Sequence, residues 1–372
     1  MPHETMTTRR DKADIWQQRE KLCRVLFPEG VPRLWCPTLT HFRAQGEPDE
    51  TRIRRHLHHL APYAKGILVP GSTGEGWEMN DDDIRRLLSV VLQAARPAGV
   101  RVLIGVLKHT VADMERCIDS TVAWLQSRTN AATAREALAR SGAVGFTVCP
   151  PRGAELSQAE IGGALSRILE RGLPTALYQL PQVTHNEMSP ETVAALAARF
   201  PNFFLFKDTS GGDCVAGSGL DFGGVVLVRG AEGGYARWSR GGGGPYDGFL
   251  LSTANVFAPQ LHNLIELLAR GRSAEAAELA QRVEAVVQQT FALVADFPAG
   301  NAFTNANKVL DHVMAHGSAA WDREPPMLYS GVRLPAEYVE QAAAFLRAAS
   351  LFPDAGYLAC PASATEAEAA DE

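Results

Sequence analysis

The sequence predicts an α/β protein, a closed (β/α)8 barrel with a C-terminal helical extension. Three observations predict it. Between about residues 33 and 270, eight short β-type runs alternate with amphipathic helical stretches. That stretch of about 240 residues is the length an eightfold barrel needs. After the first run the chain reads Thr38-Leu39-Thr40-His41, where an open doubly wound sheet usually carries a Gly-rich phosphate turn.

The elements follow in order. Residues 1–30 are charged and are expected to form an N-terminal extension, a helix packed on the barrel. Strands are expected at 34–37, 66–69, 102–106, 144–149, 175–179, 203–207, 225–229 and 248–251, each short, apolar and rich in β-formers. Helices are expected at 49–60, 81–95, 111–125, 158–171, 190–200 and 258–269, with a short one near 231–239. The sequence Ser189-Pro190-Glu191 supplies a cap and a proline at the first helical position. The connection between Lys207 and Val225 is too glycine-rich for a confident helix, and the Ala/Arg-rich stretch 126–141 lengthens the third connection. The barrel is expected to occupy 31–271. A helical subdomain is expected at 272–350, with helices at 273–294, 302–315 and 335–349, and a flexible tail at 351–372, alanine- and acid-rich from Pro361 to Glu372.

Composition narrows the function. The chain has 372 residues, 46% of them hydrophobic, enough for a large core, and a net charge of −6 that argues against nucleic acid as a partner. No apolar run of about 18 residues predicts a membrane span, and residues 1–12 lack the apolar segment of a secretory signal. Cys23, Cys36, Cys117, Cys149, Cys214 and Cys360 form no CxxC pair and read as free thiols of a reducing, cytoplasmic setting, not as a disulfide frame or zinc site.

In a barrel, chemistry sits at the carboxyl ends of the strands. Lys207 ends the run Phe203-Phe204-Leu205-Phe206 and opens into Asp208-Thr209-Ser210-Gly211. An amine attacks a carbonyl only when neutral. An apolar surround that lowered its pKa from about 10.4 to about 7 would make half of such amines nucleophilic. Lys207 is therefore a candidate Schiff-base former. Tyr178 ends the fifth run, on the neighbouring strand about 4.8 Å away. If Ala176 and Leu205 face inward, period-two alternation turns Tyr178 and Lys207 inward too. A phenol there could relay protons; a core tyrosine bonded to backbone is the alternative. After the second run, Gly71-Ser72-Thr73-Gly74-Glu75-Gly76 offers successive N–H groups and two hydroxyls to an anion such as a carboxylate, and also fits an ordinary turn.

These segments resemble the signatures of the dihydrodipicolinate synthase / N-acetylneuraminate lyase family: Gly71-Ser72-Thr73-Gly74-Glu75, Tyr178-x-x-Pro181 and Phe206-Lys207-Asp208-Thr209-Ser210-Gly211. Pro37-Thr38 and Leu251-Ser252-Thr253-Ala254-Asn255 extend the match over about residues 33–270. The resemblance implies a TIM barrel, usually tetrameric, and a metal-free class I lyase with no cofactor beyond the lysine imine. By that likeness Lys207 forms the imine with pyruvate or another 2-oxo acid, Tyr178 shuttles protons, and Ser72 and Thr73, with Gly71 shaping the turn, hold the carboxylate. A homotetramer or homodimer is expected, with a small-molecule substrate and neither nucleic acid nor membrane as partner.

The match also fails in two places. Dihydrodipicolinate synthases carry an arginine shortly after the strand-five tyrosine; here Val183 stands at about that place. They carry a tyrosine pair after the fourth strand; here the chain reads Pro150-Pro151-Arg152-Gly153. Both differences speak against lysine biosynthesis. Arg152 is a candidate cation for an anionic substrate or a solvated loop arginine, and Thr184, His185 and Ser252 are candidates for an outer pocket. His56, His58 and His59 are expected on a solvent-facing helix surface, with no metal site. Gly241 to Gly244 is expected to be a flexible loop, and Asn305 and Lys308 to serve packing or the surface. Aldol cleavage or condensation is the leading reading. A sugar-acid dehydratase using the same imine, and a non-catalytic ligand-binding barrel, are the alternatives.

Overall fold

A computed structural model describes residues 9–44 and 46–359; Cys360 and the acid-rich part of the expected flexible tail, residues 361–372, lie outside the described residues. Eight parallel strands close into a barrel in sequence order: β1 (Leu34–Pro37), β2 (Gly66–Val69), β3 (Arg101–Val106), β4 (Ala143–Val148), β5 (Thr175–Gln179), β6 (Phe203–Asp208), β7 (Val226–Arg229) and β8 (Gly248–Leu250). All eight coincide with the runs read from the sequence, to within a residue or so at either end. Helices on the outside bury the other face of each strand in a continuous apolar layer.

Every strand sends one apolar side chain into the barrel: Trp35, Leu68, Leu103, Val144, Ala176, Leu205, Val228 and Leu250 pack together there. Trp35 is accommodated because its register partner is Gly66, where a Cβ would lie 2.2 Å from the indole. Ala176 and Leu205 face inward, and the register shift between Thr175 and Ala176 turns Phe204 inward as well. Phe27 closes this core, its ring 5.8 Å from both Trp35 and Phe204.

The N-terminal extension is a helix, Arg9–Leu26. It is anchored by Arg19, fully buried, whose guanidinium donates to the carbonyls of Phe203 (2.6 Å), Phe200 (2.9 Å), Ala197 and Gly223. Burial lowers its pKa to about 10. The 126–141 stretch completes the helix Val111–Thr129, turns at Asn130 with positive φ, and forms a second helix, Ala134–Ser141, capped by Thr133. The doubtful sixth helix is one turn, Cys214–Gly217. The last barrel helix begins at Ala254, four residues before the expected start, and crosses a non-helical Phe257 next to Pro259.

One expectation is corrected. His56 is buried, because its helix, Glu50–Leu60, is covered by the C-terminal helix Ala302–His316 and by Tyr357. His56 Nε2 donates to the Asn255 carbonyl (3.0 Å) and His59 stacks on Tyr357 at 4.3 Å; only His58 is exposed. The Gly241 to Gly244 segment is exposed at Gly241 to Gly243 and continues a 3-10 turn, Arg240–Gly242; a Cβ at Gly242 would lie 1.9 Å from the Ala236 carbonyl oxygen. No helix among the described residues is long and apolar enough to cross a membrane.

Candidate active site

Lys207 and Tyr178 stand opposite each other on β6 and β5. Both are buried, at 4% and 2% exposure, and Lys207 Nζ lies 3.9 Å from the centroid of the phenol ring. Burial lowers the lysine pKa to about 7, against the opposing pull of Cys149, Glu232 and Cys36. The amine is therefore substantially neutral near pH 7, in a place where desolvation penalises the ammonium form. Burial pushes the Tyr178 phenol above the ordinary range; Cys149 adds to this, and Ser72 and Thr209 pull the other way. Lys207 needs open space beside it, and Gly230, just past β7, supplies it. A Cβ there would lie 2.3 Å from Thr209 Oγ1 and 2.8 Å from Lys207 Cε.

The Gly71–Gly76 turn meets this pair through Ser72. The Trp77 indole donates to Ser72 Oγ (2.8 Å), and Ser72 is a hydrogen-bonding neighbour of the Tyr178 phenol. The amides of Gly74, Glu75 and Gly76 are used inside the turn, on the carbonyls of Gly71 and Ser72. The chain's own structure thus takes part of the N–H array that the motif offers on paper. Gly71 approaches Pro37 too closely for a side chain, with a Cβ 2.9 Å from Pro37 Cβ. Thr73 is buried and its carbonyl accepts from Thr304 Oγ1 (3.1 Å). Below the turn, Glu75 has positive φ and forms a buried ion pair with Lys308, whose Nζ also donates to the Met327 carbonyl (2.7 Å). Lys308 therefore braces the turn from the C-terminal helix, a role that its position in the sequence does not reveal.

Two further groups escape sequence reading. Glu232, two residues past Gly230, accepts from Ser252 Oγ (2.7 Å), Thr253 N (3.2 Å), Thr253 Oγ1 (2.6 Å) and the Tyr235 hydroxyl (2.9 Å). Four donors converge on its carboxylate, and its charge acts on Lys207. Ser252, expected in an outer pocket, is thus committed to Glu232. The loop that carries Glu232 is held by Arg229, which pairs with buried Asp213 (2.8 and 3.0 Å) and donates to the carbonyls of Ala231 and Gly233 (both 2.7 Å). An acid after a strand-seven glycine was the only local signal, and many surface loops share it.

On the other side, Tyr178 belongs to an apolar wall with Leu107, Cys149 and Leu180, against which Trp77 and Val183 pack. Its rim is basic. His109 stacks on Trp77 at 4.9 Å, the Arg152 amide donates to the His109 carbonyl (2.9 Å), and the Arg152 guanidinium donates to His185 Nε2 (3.0 Å). Burial and then Arg152 lower the His109 pKa. Thr184 does not offer its hydroxyl to this space, since Oγ1 donates to the Leu180 and Asn186 carbonyls (3.1 and 3.2 Å).

His41, His56 and Asp311 are spaced as metal ligands could be. Their ligand atoms are already engaged: His41 and His56 share a hydrogen bond (3.1 Å), and Asp311 takes Arg52 (2.6 Å) and the Tyr357 hydroxyl (2.9 Å). A guanidinium against the carboxylate suits an ion-pair core better than a cation site.

The chain is similar to several known proteins. The model of the dihydrodipicolinate synthetase family matches residues 125–300. A 4-hydroxy-tetrahydrodipicolinate synthase of Stenotrophomonas maltophilia is 30% identical over 234 residues, 62% of this chain and 71% of that protein. Another, from Symbiobacterium thermophilum, is 26% identical over 271 residues, 70% of this chain and 83% of its own. Among solved structures, YagE, a prophage protein of the dihydrodipicolinic acid synthase family from E. coli K12, superposes with a TM-score of 0.66 at 19% identity, covering 86% of this chain and 99% of its own. By sequence, the chain belongs to the dihydrodipicolinate synthetase family, and the closed barrel is the fold it shares with those structures.

Proposed function

We propose that the chain is a Schiff-base lyase that makes or breaks a carbon–carbon bond beside the imine of a 2-oxo acid such as pyruvate. The observation that carries this is the buried Lys207 amine over the Tyr178 ring, with its pKa lowered to about 7 by burial. Family membership supports a lyase of this general type. The neutral amine adds to the keto carbon; the carbinolamine loses water and becomes a protonated imine, with no cofactor required. The Tyr178 hydroxyl carries protons to and from the carbinolamine oxygen and the substrate hydroxyl. Ser72 and Thr73 hold the carboxylate of the 2-oxo acid, and the anionic Glu232 offsets the iminium charge.

The second substrate lies along the apolar wall, with its far end at Arg152 and His185. An electrophile with an apolar body and an anionic terminus matches that surface. Val183 where the synthases carry arginine, and Pro150-Pro151-Arg152 where they carry tyrosines, separate this activity from that of the 4-hydroxy-tetrahydrodipicolinate synthases. The experiment is mass spectrometry after borohydride reduction with pyruvate. The parent protein gains the mass of one reduced pyruvyl adduct on Lys207, and Lys207→Ala gains none. An unmodified parent protein would overturn the reading in favour of a non-catalytic barrel. A panel of 4-hydroxy-2-oxo acids then separates aldol cleavage, which releases pyruvate, from dehydration, which leaves the carbon chain intact.

A further inference from the structure

Trp77 lies just past the Ser72 turn, and its indole is held in place by its neighbours. Gly76 lets the chain run close to Pro70 and Leu107, where a Cβ would lie 2.8 Å from Pro70 Cβ and 3.1 Å from Leu107 Cδ1. The indole packs on the wall of Leu107, Cys149, Tyr178 and Leu180. The His109 ring stacks on it at 4.9 Å, with 14° between the planes. Fixing the ring plane fixes the direction of the indole N–H, which ends on Ser72 Oγ at 2.8 Å.

The Ser72 backbone is held as well: its carbonyl accepts from Glu75 N (3.1 Å), Asn301 Nδ2 (3.2 Å) and Thr304 Oγ1 (3.2 Å). What stays free to turn is the hydroxyl proton. A hydroxyl has one hydrogen and two acceptor sites, whereas an indole nitrogen only donates. Trp77 therefore fills an acceptor site of Ser72 and takes no proton from it. The Ser72 hydrogen must point elsewhere, and its hydrogen-bonding neighbour in the pocket is the Tyr178 phenol. Ser72 pulls the phenol pKa down against the larger effect of burial, the direction expected when the hydroxyl donates to the phenolic oxygen. Donation into Ser72 polarises its O–H and strengthens the bond that it gives in turn.

We propose that Trp77 is a positioning residue for the imine chemistry at Lys207: its indole N–H holds the Ser72 hydroxyl as a donor to the Tyr178 phenol. With a donor behind it, the phenol presents its own hydrogen to the carbinolamine oxygen. This inference rests on the lyase reading above and adds to it a residue that touches no reacting atom. It also separates two properties of Trp77. The ring is replaceable by another apolar ring, and the N–H is not.

The test is a double-mutant cycle on the rate of imine formation with pyruvate, followed by rapid quenching into borohydride and mass spectrometry of the full chain. Trp77→Phe keeps a ring against His109 and removes the N–H. The rate should fall about fivefold, the worth of one neutral hydrogen bond. In a Ser72→Ala background the same substitution should change the rate less than about twofold, because Trp77 acts through the missing hydroxyl. A side chain that merely packs would cost the same in both backgrounds. Trp77→Leu, also without an N–H, takes its place if Trp77→Phe does not fold. A second readout needs no turnover. In the chain carrying isotopically labelled tryptophan, the indole proton signal that is absent from the Trp77 variant should move upfield in Ser72→Ala. A parent-like rate in Trp77→Phe, an equal loss in both backgrounds, or an indole signal that Ser72→Ala leaves in place each overturns the proposal. A parent protein that traps no pyruvate overturns the lyase reading and this proposal together, an outcome distinct from the other three.

Discussion

Replacing Lys207 with methionine should stabilise the protein at neutral pH while abolishing imine formation. A fall in the lysine pKa from 10.5 to about 7 means that the folded state penalises the ammonium by about 5 kcal/mol. The sign follows from proton binding. Between pH 7 and 10.5 the unfolded chain holds a proton on this lysine that the folded chain has lost, so the parent gains stability as pH rises through that window. Below about pH 7 both states are protonated and the full cost is present. Methionine matches the lysine stem in volume and carries no charge, so the variant is spared that cost. We expect Lys207→Met to exceed the parent by about 5 kcal/mol at pH 6, shrinking to about 1 kcal/mol at pH 9.5. Thermal melts of both proteins at the two pH values would show a gap of several degrees that closes toward alkaline pH. A variant no more stable than the parent at pH 6, or a gap indifferent to pH, would refute the claim that burial suppresses the charge.

Three further outcomes are expected. Gly230→Ala inserts a carbon 2.8 Å from Lys207 Cε; it should slow borohydride-trappable imine formation at least tenfold, with circular dichroism unchanged. Arg152→Gln should raise KM for an anionic electrophile by about 10-fold to 100-fold, as loss of a charge-assisted contact predicts, and leave the rate of pyruvate imine formation as it is. Arg19→Met leaves the carbonyls of Ala197, Phe200, Phe203 and Gly223 without their donor. Urea unfolding should show a loss of about 2–4 kcal/mol, while the imine yield of the folded protein stays constant.

Much of the barrel was legible in the chain because its signals are local. Strand and helix periodicity, the Ser189-Pro190 start and the strand-end positions of Lys207, Tyr178 and the Ser72 turn all depend on residues close in sequence. Alternation tied the inward facing of Tyr178 and Lys207 to that of Ala176 and Leu205, and these two do face inward, with Tyr178 and Lys207 in register. Arg152 and His185 could be named as outer residues, although nothing in their sequence spacing says that they bond to each other.

What the tertiary structure decided is where a residue's surroundings come from distant segments. His56 looks exposed on a charged helix until Asp311 and Tyr357, more than 250 positions away, cover it. Lys308 looks like surface until Glu75 pairs with it across 233 residues. Gly230 and Glu232 have no distinguishing neighbours in sequence, yet one makes room for the Lys207 amine and the other places a charge near it. A residue's own pattern tells which way its side chain points. Only the folded chain tells what stands opposite, and electrostatics and desolvation depend on that.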